Sequence, residues 1–203
     1  MNSALSGLYG ISDTTLTPKE TICTQVQEAI KGGMRIFQYR DKISDDNDII
    51  EIIYHLMDIC AKSNVLFVLN DRVELAIRLQ CPALHIGKDD GDIQVIRKNF
   101  TGILGASSYS DITRAKELQK QGIDYVAFDS IFHSSTKPNV KCVGAEILSQ
   151  AKKELHIPIC AIGGISKDNI SLLKNANMFA LISALWNGDV YKNARNLCQN
   201  TSL

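Results

Sequence analysis

Asp71 and Asp90 are the residues of this 203-residue chain whose type and setting most directly propose chemistry. Each stands at the end of a short apolar run, V-L-F-V-L-N from Val65 and A-L-H-I-G from Ala83. If those runs are neighbouring parallel strands, the two carboxylates lie at adjacent strand ends about 5 Å apart and can converge on one hard cation. Mg2+ suits such a pair, because two carboxylates with water and a substrate phosphate complete its octahedron. No Cys/His cluster offers a zinc site instead. Either Asp alone would serve equally well as the N-cap of a following helix; the pairing is what favours a metal.

Arg40, Lys42 and Lys137 stand at the ends of other runs and would add three cations at the same rim, enough to hold a diphosphate beside the metal and act on it catalytically. Taken singly, each would also pass as a solvated or salt-bridged surface charge. Gly163-Gly164 and Ile182-Ser183 suit a second anion site built from backbone N–H groups, although a glycine pair also makes an ordinary tight turn. Further polar groups at run ends are Gln38, Tyr39, Asp41, Asn70, Ser107, Ser108 and the segment Ser134-Ser135-Thr136-Lys137. His85 lies inside an apolar run and reads as a hydrogen-bonded core residue, and His133 falls in a loop.

These positions require a particular scaffold. Apolar, β-rich runs begin at Leu8, Arg35, Val65, Ala83, Ile103, Tyr125, Ile159 and Phe179. Their near-continuous apolar character fits strands covered on both faces, as in a parallel sheet. Helical segments alternate with them. Ile49, Ile50, Ile53, Leu56, Met57 and Cys60 recur at three- and four-residue spacing, with Ser44 expected as N-cap and Asp45 and Asp46 in the first turn. Ser110 precedes a segment that Gly122 could end, Ser166 precedes one carrying Ile170, Leu172 and Leu173, and shorter candidates follow Asp71 and Asp92. Others begin near Pro18, Gly144 and Trp186. Eight strand–helix alternations point to an α/β fold, a single (β/α)8 TIM barrel, whose chemistry sits at the C-terminal ends of its strands.

The expected domain is 1–203, with 1–7 a short N-terminal tail, since separate cores arise only beyond roughly 250–300 residues. The longest irregular stretch, Ser130 to Val143, fits a lid or binding loop. Lys plus Arg equals Asp plus Glu at 22 each, so no global field recruits nucleic acid or an anionic membrane; a small anion must be held locally. Six dispersed cysteines read as reduced thiols of a cytoplasmic protein, and no apolar run approaches the roughly 20 residues of a membrane span.

F-Q-Y-R-D-K at 37–42, N-D at 70–71, H-I-G-K-D-D at 85–90, G-A-S at 105–107, S-x-T-K at 134–137 and A-I-G-G-I at 161–165 together resemble thiamine-phosphate synthases, in family order and over nearly the whole chain. The resemblance implies that Gln38, Arg40, Lys42, Asn70, Ser107 and Lys137 contact an aminopyrimidine diphosphate, within a stretch that includes Tyr39 and Asp41. Asp71 and Asp90 would bind one Mg2+ per subunit. Ser134 and Thr136 with Gly164, Ile182 and Ser183 would hold the thiazole carboxylate or phosphate, with Ser135 in the same substrate-binding stretch. It implies a transferase that joins the two small substrates and releases pyrophosphate, with a homo-oligomer left open. Two departures from the family pattern stand in the sixth loop, Asp129-Ser130 for Gly-Pro and His133-Ser134 for Pro-Thr; another is Asn175-Ala176-Asn177-Met178 before the eighth strand. Two rivals are a thiazole tautomerase of the same superfamily and a non-catalytic binder of phosphate ligands.

Overall fold

The computed structural model describes residues 4–133 and 142–201. Each apolar run forms a strand: β1 Gly7–Ile11, β2 Met34–Tyr39, β3 Leu66–Asn70, β4 Ala83–Ile86, β5 Ile103–Tyr109, β6 Tyr125–Phe128, β7 Ile159–Ile162 and β8 Met178–Leu181. Neighbours in sequence pair in parallel and β1 also pairs with β8, which closes the barrel. The helices are α1 Ile22–Lys31, α2 Ile50–Lys62, α3 Val73–Arg78, α4 Ile93–Asn99, α5 Ile112–Lys120, α6 Glu146–Glu154, α7 Ser183–Trp186 and α8 Val190–Gln199. Among the described residues no helix is long and apolar enough to cross a membrane.

Two apolar layers explain why the strands lack a simple alternation of apolar and polar residues. In β2, Phe37 and Tyr39 face outward into the layer shared with the helices, whereas Ile36 belongs to the smaller cluster inside the barrel with Tyr9, Val68, Tyr125 and Met178. Both faces are therefore buried, as parallel strands require. The helices answer with one apolar stripe each; in α1 it is Ile22, Val26 and Ala29, spaced four and three apart. Full burial of a side chain such as Phe37 contributes about 1.5–3 kcal/mol.

The register sets the height of the residues inside the barrel. Asn70 pairs with His85, His85 with Gly105, and Gly105 with Tyr125, so these four stand on one line around the wall. An irregularity between Ser107 and Tyr109 follows, where Ser108 is buried and donates to the Ala127 carbonyl at 2.9 Å. That bulge re-aims the end of β5, so that both Ser107 and Tyr109 line the cavity above.

Several local expectations are corrected. The segment 1–7 is not wholly a tail: Leu5 is buried in the interior cluster where the strands begin, and Gly7 already pairs with Met178. The helix expected from Ser44 starts as a 3-10 turn, Asp46–Ile49, because the Ser44 carbonyl and the Asp46 carboxylate are both engaged by Arg72. Ser110 does not cap α5; Asp111 does, accepting from the Arg114 N–H, while Ser110 bonds the Asp129 carbonyl. After Ser166 there is only a 3-10 turn, Ile170–Leu172, since Asn169 spends its side chain on Ser166 N–H and the Gly164 carbonyl. Asp92 caps α4 as its position suggested, accepting from Gln94 and Val95 N–H.

Candidate active site

A cavity of about 330 Å³ opens at the C-terminal ends of the strands. Asp71 follows β3 directly, with its backbone N–H bonded to the His85 carbonyl at 2.8 Å and φ at +64°, a left-handed conformation uncommon outside glycine. Asp90 closes the tight turn after β4, where one carboxylate oxygen accepts from Gly87 N–H at 2.5 Å. The two carboxylates face each other. Burial, then the neighbouring charge and hydrogen bond of Asp71, raise the Asp90 carboxyl above its ordinary range, against the pull of Gly87 N–H and Lys42. Lys42 Nζ lies 2.9 Å from Asp71 Oδ2 and partly offsets the crowded negative charge. Among the described residues no three His, Cys, Asp or Glu side chains converge, so the donor set on hand is a two-carboxylate one.

The end of β2 is held by its surroundings on three sides. Ser12, after β1, takes the Arg40 N–H at 2.7 Å and returns a bond to the Arg40 carbonyl at 3.2 Å, while its own N–H bonds the Gln38 carbonyl. Gln38, Arg40 and Lys42 line the cavity. Tyr39 and Asp41, expected beside substrate, do not. Strand alternation turns the Tyr39 ring outward against the helices, and the Asp41 carboxylate accepts from Ile43 and Ser44 N–H, each at 2.9 Å. Burial opposes ionisation of Asp41, yet the Ser44 and Ile43 hydrogen bonds hold its carboxyl below the usual range. Their role is to shape the loop that presents Arg40 and Lys42. Arg72 completes that loop from the far side, donating to the Asp41 carbonyl at 2.7 Å and the Ser44 carbonyl at 2.6 Å, and pairing with Asp46.

The cavity floor is a polar chain crossing the barrel. Gln38 Nε2 donates to Tyr9 Oη at 2.7 Å, Tyr9 and Tyr125 hydroxyls are 2.8 Å apart, Tyr125 Oη is 3.0 Å from His85 Nδ1, and His85 Nε2 is 3.1 Å from Ser107 Oγ. His85 is therefore the hydrogen-bonded buried residue its sequence setting suggested, and it also borders the cavity. Burial lowers its pKa to about 4 despite the opposing Asp71 charge, so the ring is neutral near neutrality. Asn70 also lines the cavity and is largely buried.

Gly163 and Gly164, with φ of +107° and +62°, adopt backbone that side chains rarely reach. A β-carbon at Gly163 would sit 2.7 Å from Ser130 N, and one at Gly164 would strike the Phe132 and His133 carbonyls. The glycines thus let the loop after β7 pass against the loop after β6, with Ile131 and Phe132 N–H bonding the Ile162 and Gly163 carbonyls. Ile182 and Ser183 line the same wall, and α7 is fixed beneath them by Trp186, whose indole N–H bonds the Ile11 carbonyl at 2.7 Å. Ser134, Ser135, Thr136 and Lys137, and with them most of the expected lid, lie outside the described residues.

Sequence reasoning missed four cavity residues with polar or reactive tips: Tyr9, Asp13, Tyr109 and Cys160. Tyr9 carried a signal, a hydroxyl inside an otherwise apolar run. Asp13 carries its structural reason in its contacts, accepting from Thr15 and Leu16 N–H to turn the chain after β1. Asp129, where the family pattern has glycine, does border the cavity.

Comparison with known proteins converges on one family. Residues 8–185 match the family model described as thiamine monophosphate synthase. The chain is 42% identical to the thiamine-phosphate synthase of Wolinella succinogenes over 202 residues, covering 97% of this chain and 94% of that protein. It is 37% identical to that of Acidithiobacillus ferrooxidans over 189 residues, covering 90% and 87%. The solved thiamine phosphate pyrophosphorylase from Pyrococcus furiosus superposes with a TM-score of 0.86 at 32% identity, covering 97% of this chain and 95% of the other.

Proposed function

This chain belongs to the thiamine monophosphate synthase family and is a transferase that makes thiamine phosphate from small-molecule substrates, and we propose that it does so by Mg2+-dependent condensation of 4-amino-2-methyl-5-(diphosphooxymethyl)pyrimidine with a thiazole phosphate. The observation that carries the proposal is the group Lys42–Asp71–Asp90, in which Lys42 and Asp71 line the cavity and Asp90 stands against Asp71 beside it. An Asp90 carboxyl whose ionisation is opposed by burial and by the facing Asp71 charge, with Lys42 Nζ 2.9 Å from Asp71, marks a place where a divalent cation is electrostatically favoured. Asp71 and Asp90 would hold Mg2+, which when bound supplies positive charge opposite the leaving diphosphate.

The protein's own groups do the rest. Lys42 and Arg40 are set at the rim to bind diphosphate oxygens and take up the charge that grows on them, with Lys137 the third cation of this reading. Gln38, Asn70 and Ser107 line the deeper part of the cavity and would orient the pyrimidine. The Gly163-Gly164 and Ile182-Ser183 wall, with Ser134, Ser135 and Thr136, would hold the thiazole phosphate. The bond from the pyrimidine methylene carbon to the diphosphate oxygen breaks with its electron pair on that oxygen. The thiazole nitrogen then gives its lone pair to the methylene carbon, and pyrophosphate leaves. Holding both partners in line is the main source of rate, and no side chain needs to act as nucleophile. Buried reduced thiols at Cys60, Cys81 and Cys160 suit a reducing cytoplasm as the place of action.

The test combines purified protein, Mg2+ and both substrates and follows thiamine phosphate and pyrophosphate together, with EDTA as control. Equal amounts of the two products, lost with EDTA, are expected. Binding without either product overturns the assignment in favour of a phosphate-ligand binder or a tautomerase. Asp71→Ala and Asp90→Ala should each lower Mg2+-dependent turnover about a hundredfold while leaving the far-UV spectrum unchanged. Wild-type rates in both would remove the metal from Asp71 and Asp90.

A further inference from the structure

Tyr109 ties the turn that carries Asp90 to the end of β5. The Lys88 N–H, one residue beyond the Gly87 N–H that Asp90 accepts, donates to Tyr109 Oη at 3.2 Å. A β-carbon built on Gly87 would lie 3.2 Å from Asp90 Oδ2 and 3.3 Å from Tyr109 Oη, so the carboxylate and the hydroxyl flank the same point of the turn. Reaching that point takes an unusual backbone. Tyr109 has φ of +57°, left-handed and uncommon for a large side chain, just past the bulge in which Ser108 is buried. Two contacts hold it there. The Asp129 N–H bonds the Tyr109 carbonyl at 3.4 Å, and Arg114, in the first turn of α5, sets its guanidinium over the ring, 5.7 Å from the centroid. Arg114 is itself fixed to β5, its Nε donating to the Ser107 carbonyl at 3.2 Å.

We propose that Tyr109 is a positioning residue for the metal site: its hydroxyl, with the ring held under Arg114, fixes the turn from Gly87 to Asp90 so that the Asp90 carboxylate stays opposite Asp71 before a cation arrives. This rests on the Mg2+ reading of Asp71 and Asp90. Without the cation the two carboxylates repel one another, which drives the turn after β4 away from the end of β3. Lys42 offsets that repulsion from the Asp71 side, 2.9 Å away. On the Asp90 side the turn contains Gly87 and Gly91, the second at φ of +122°, and glycine gives its backbone little stiffness of its own. A hydroxyl that accepts from the Lys88 N–H anchors the turn and adds no charge to compete with the cation. The direction of that bond is certain, since a backbone N–H can only donate. Holding the carboxylate in place beforehand spares the cation the cost of ordering the turn as it binds. Tyr109 lines the cavity, but in this role it acts on the metal through Asp90.

The experiment reads metal binding apart from turnover. Mn2+ is titrated into ligand-free wild type, Tyr109→Phe, Arg114→Ala and the double variant, with free Mn2+ followed by electron paramagnetic resonance. Tyr109 is 40% exposed, so the loss of its hydroxyl leaves the fold intact, which far-UV dichroism checks. Phe keeps the ring under Arg114 and removes the acceptor for the Lys88 N–H. Tyr109→Phe should therefore bind Mn2+ about tenfold more weakly, and amide exchange at Lys88 should quicken. Arg114→Ala should weaken binding in the same direction and should have no further effect in the Tyr109→Phe background, because Arg114 acts on the turn through that hydroxyl. In turnover, the Mg2+ concentration for half-maximal rate should rise in Tyr109→Phe, and saturating Mg2+ should restore most of kcat. A merely structural role would lower kcat or the urea midpoint and leave the Mn2+ affinity in place. Wild-type Mn2+ affinity in Tyr109→Phe overturns the proposal while the metal reading survives. A wild type that binds no Mn2+ overturns the metal reading and the role of Tyr109 with it.

Discussion

His85 should make the fold sensitive to acid in a window that can be calculated. The ordinary value for its imidazole is 6.5, and burial lowers it to about 4 in the folded chain. Because protonation is disfavoured only in the folded state, the unfolded chain binds more protons as pH falls through 6.5. Stability is then lost between 6.5 and about 4 and changes no further below. At about 1.4 kcal/mol per unit, a difference of about 2.5 units is worth about 3 kcal/mol, a large part of the stability of an ordinary domain. The perturbation is His85→Gln, which retains hydrogen-bonding capacity and cannot titrate. Urea unfolding followed by Trp186 fluorescence and far-UV dichroism, in EDTA so that no metal contributes, gives the stability of both proteins across the range. Carboxylates shared by the two cancel in the difference. The advantage of wild type over the variant should shrink by about 3 kcal/mol from pH ~7 to pH ~4. A difference that stays constant with pH would show that His85 is not held neutral by burial, and the reasoning would fail.

Two other substitutions test how the site is supported. Arg72→Ala removes the bonds to the Asp41 and Ser44 carbonyls and the Asp46 ion pair, releasing the loop that carries Lys42; kcat/KM should fall about tenfold, and an unchanged value would show that the loop holds its shape without Arg72. Gly105→Ala drives a methyl group into the Tyr125 ring and should cost about 1–3 kcal/mol in urea unfolding; a variant as stable as wild type would show that the ring can retreat.

Much of the architecture and the rim of the site was legible in the residues themselves. The eight strands follow from apolar runs long enough to be buried on both faces, and placing Asp71, Asp90, Arg40 and Lys42 at one mouth needed only the rule that strand ends of such a barrel converge. What adjacent residues share is decided by backbone direction, and here strand alternation alone already separates Gln38 and Arg40, facing the cavity, from Tyr39, facing the helices. The floor was beyond that reach. Tyr9, Gln38, His85, Ser107 and Tyr125 are up to 116 positions apart and meet only because closure of the barrel and the register of its strands bring their side chains to one level. Helix starts were misplaced for a related reason: Ser44 and Ser110 had the chemistry of caps, but the Ser44 hydroxyl bonds the Asp41 carboxylate and the Ser110 hydroxyl bonds the Asp129 carbonyl, so neither is spent on a helix start. Local patterning determined which segments would be strands and which charges would reach the mouth, because those depend on burial and on the chain's own period. The tertiary structure decided which polar groups bond to one another, because a hydrogen bond depends on distances that closure of the barrel alone sets.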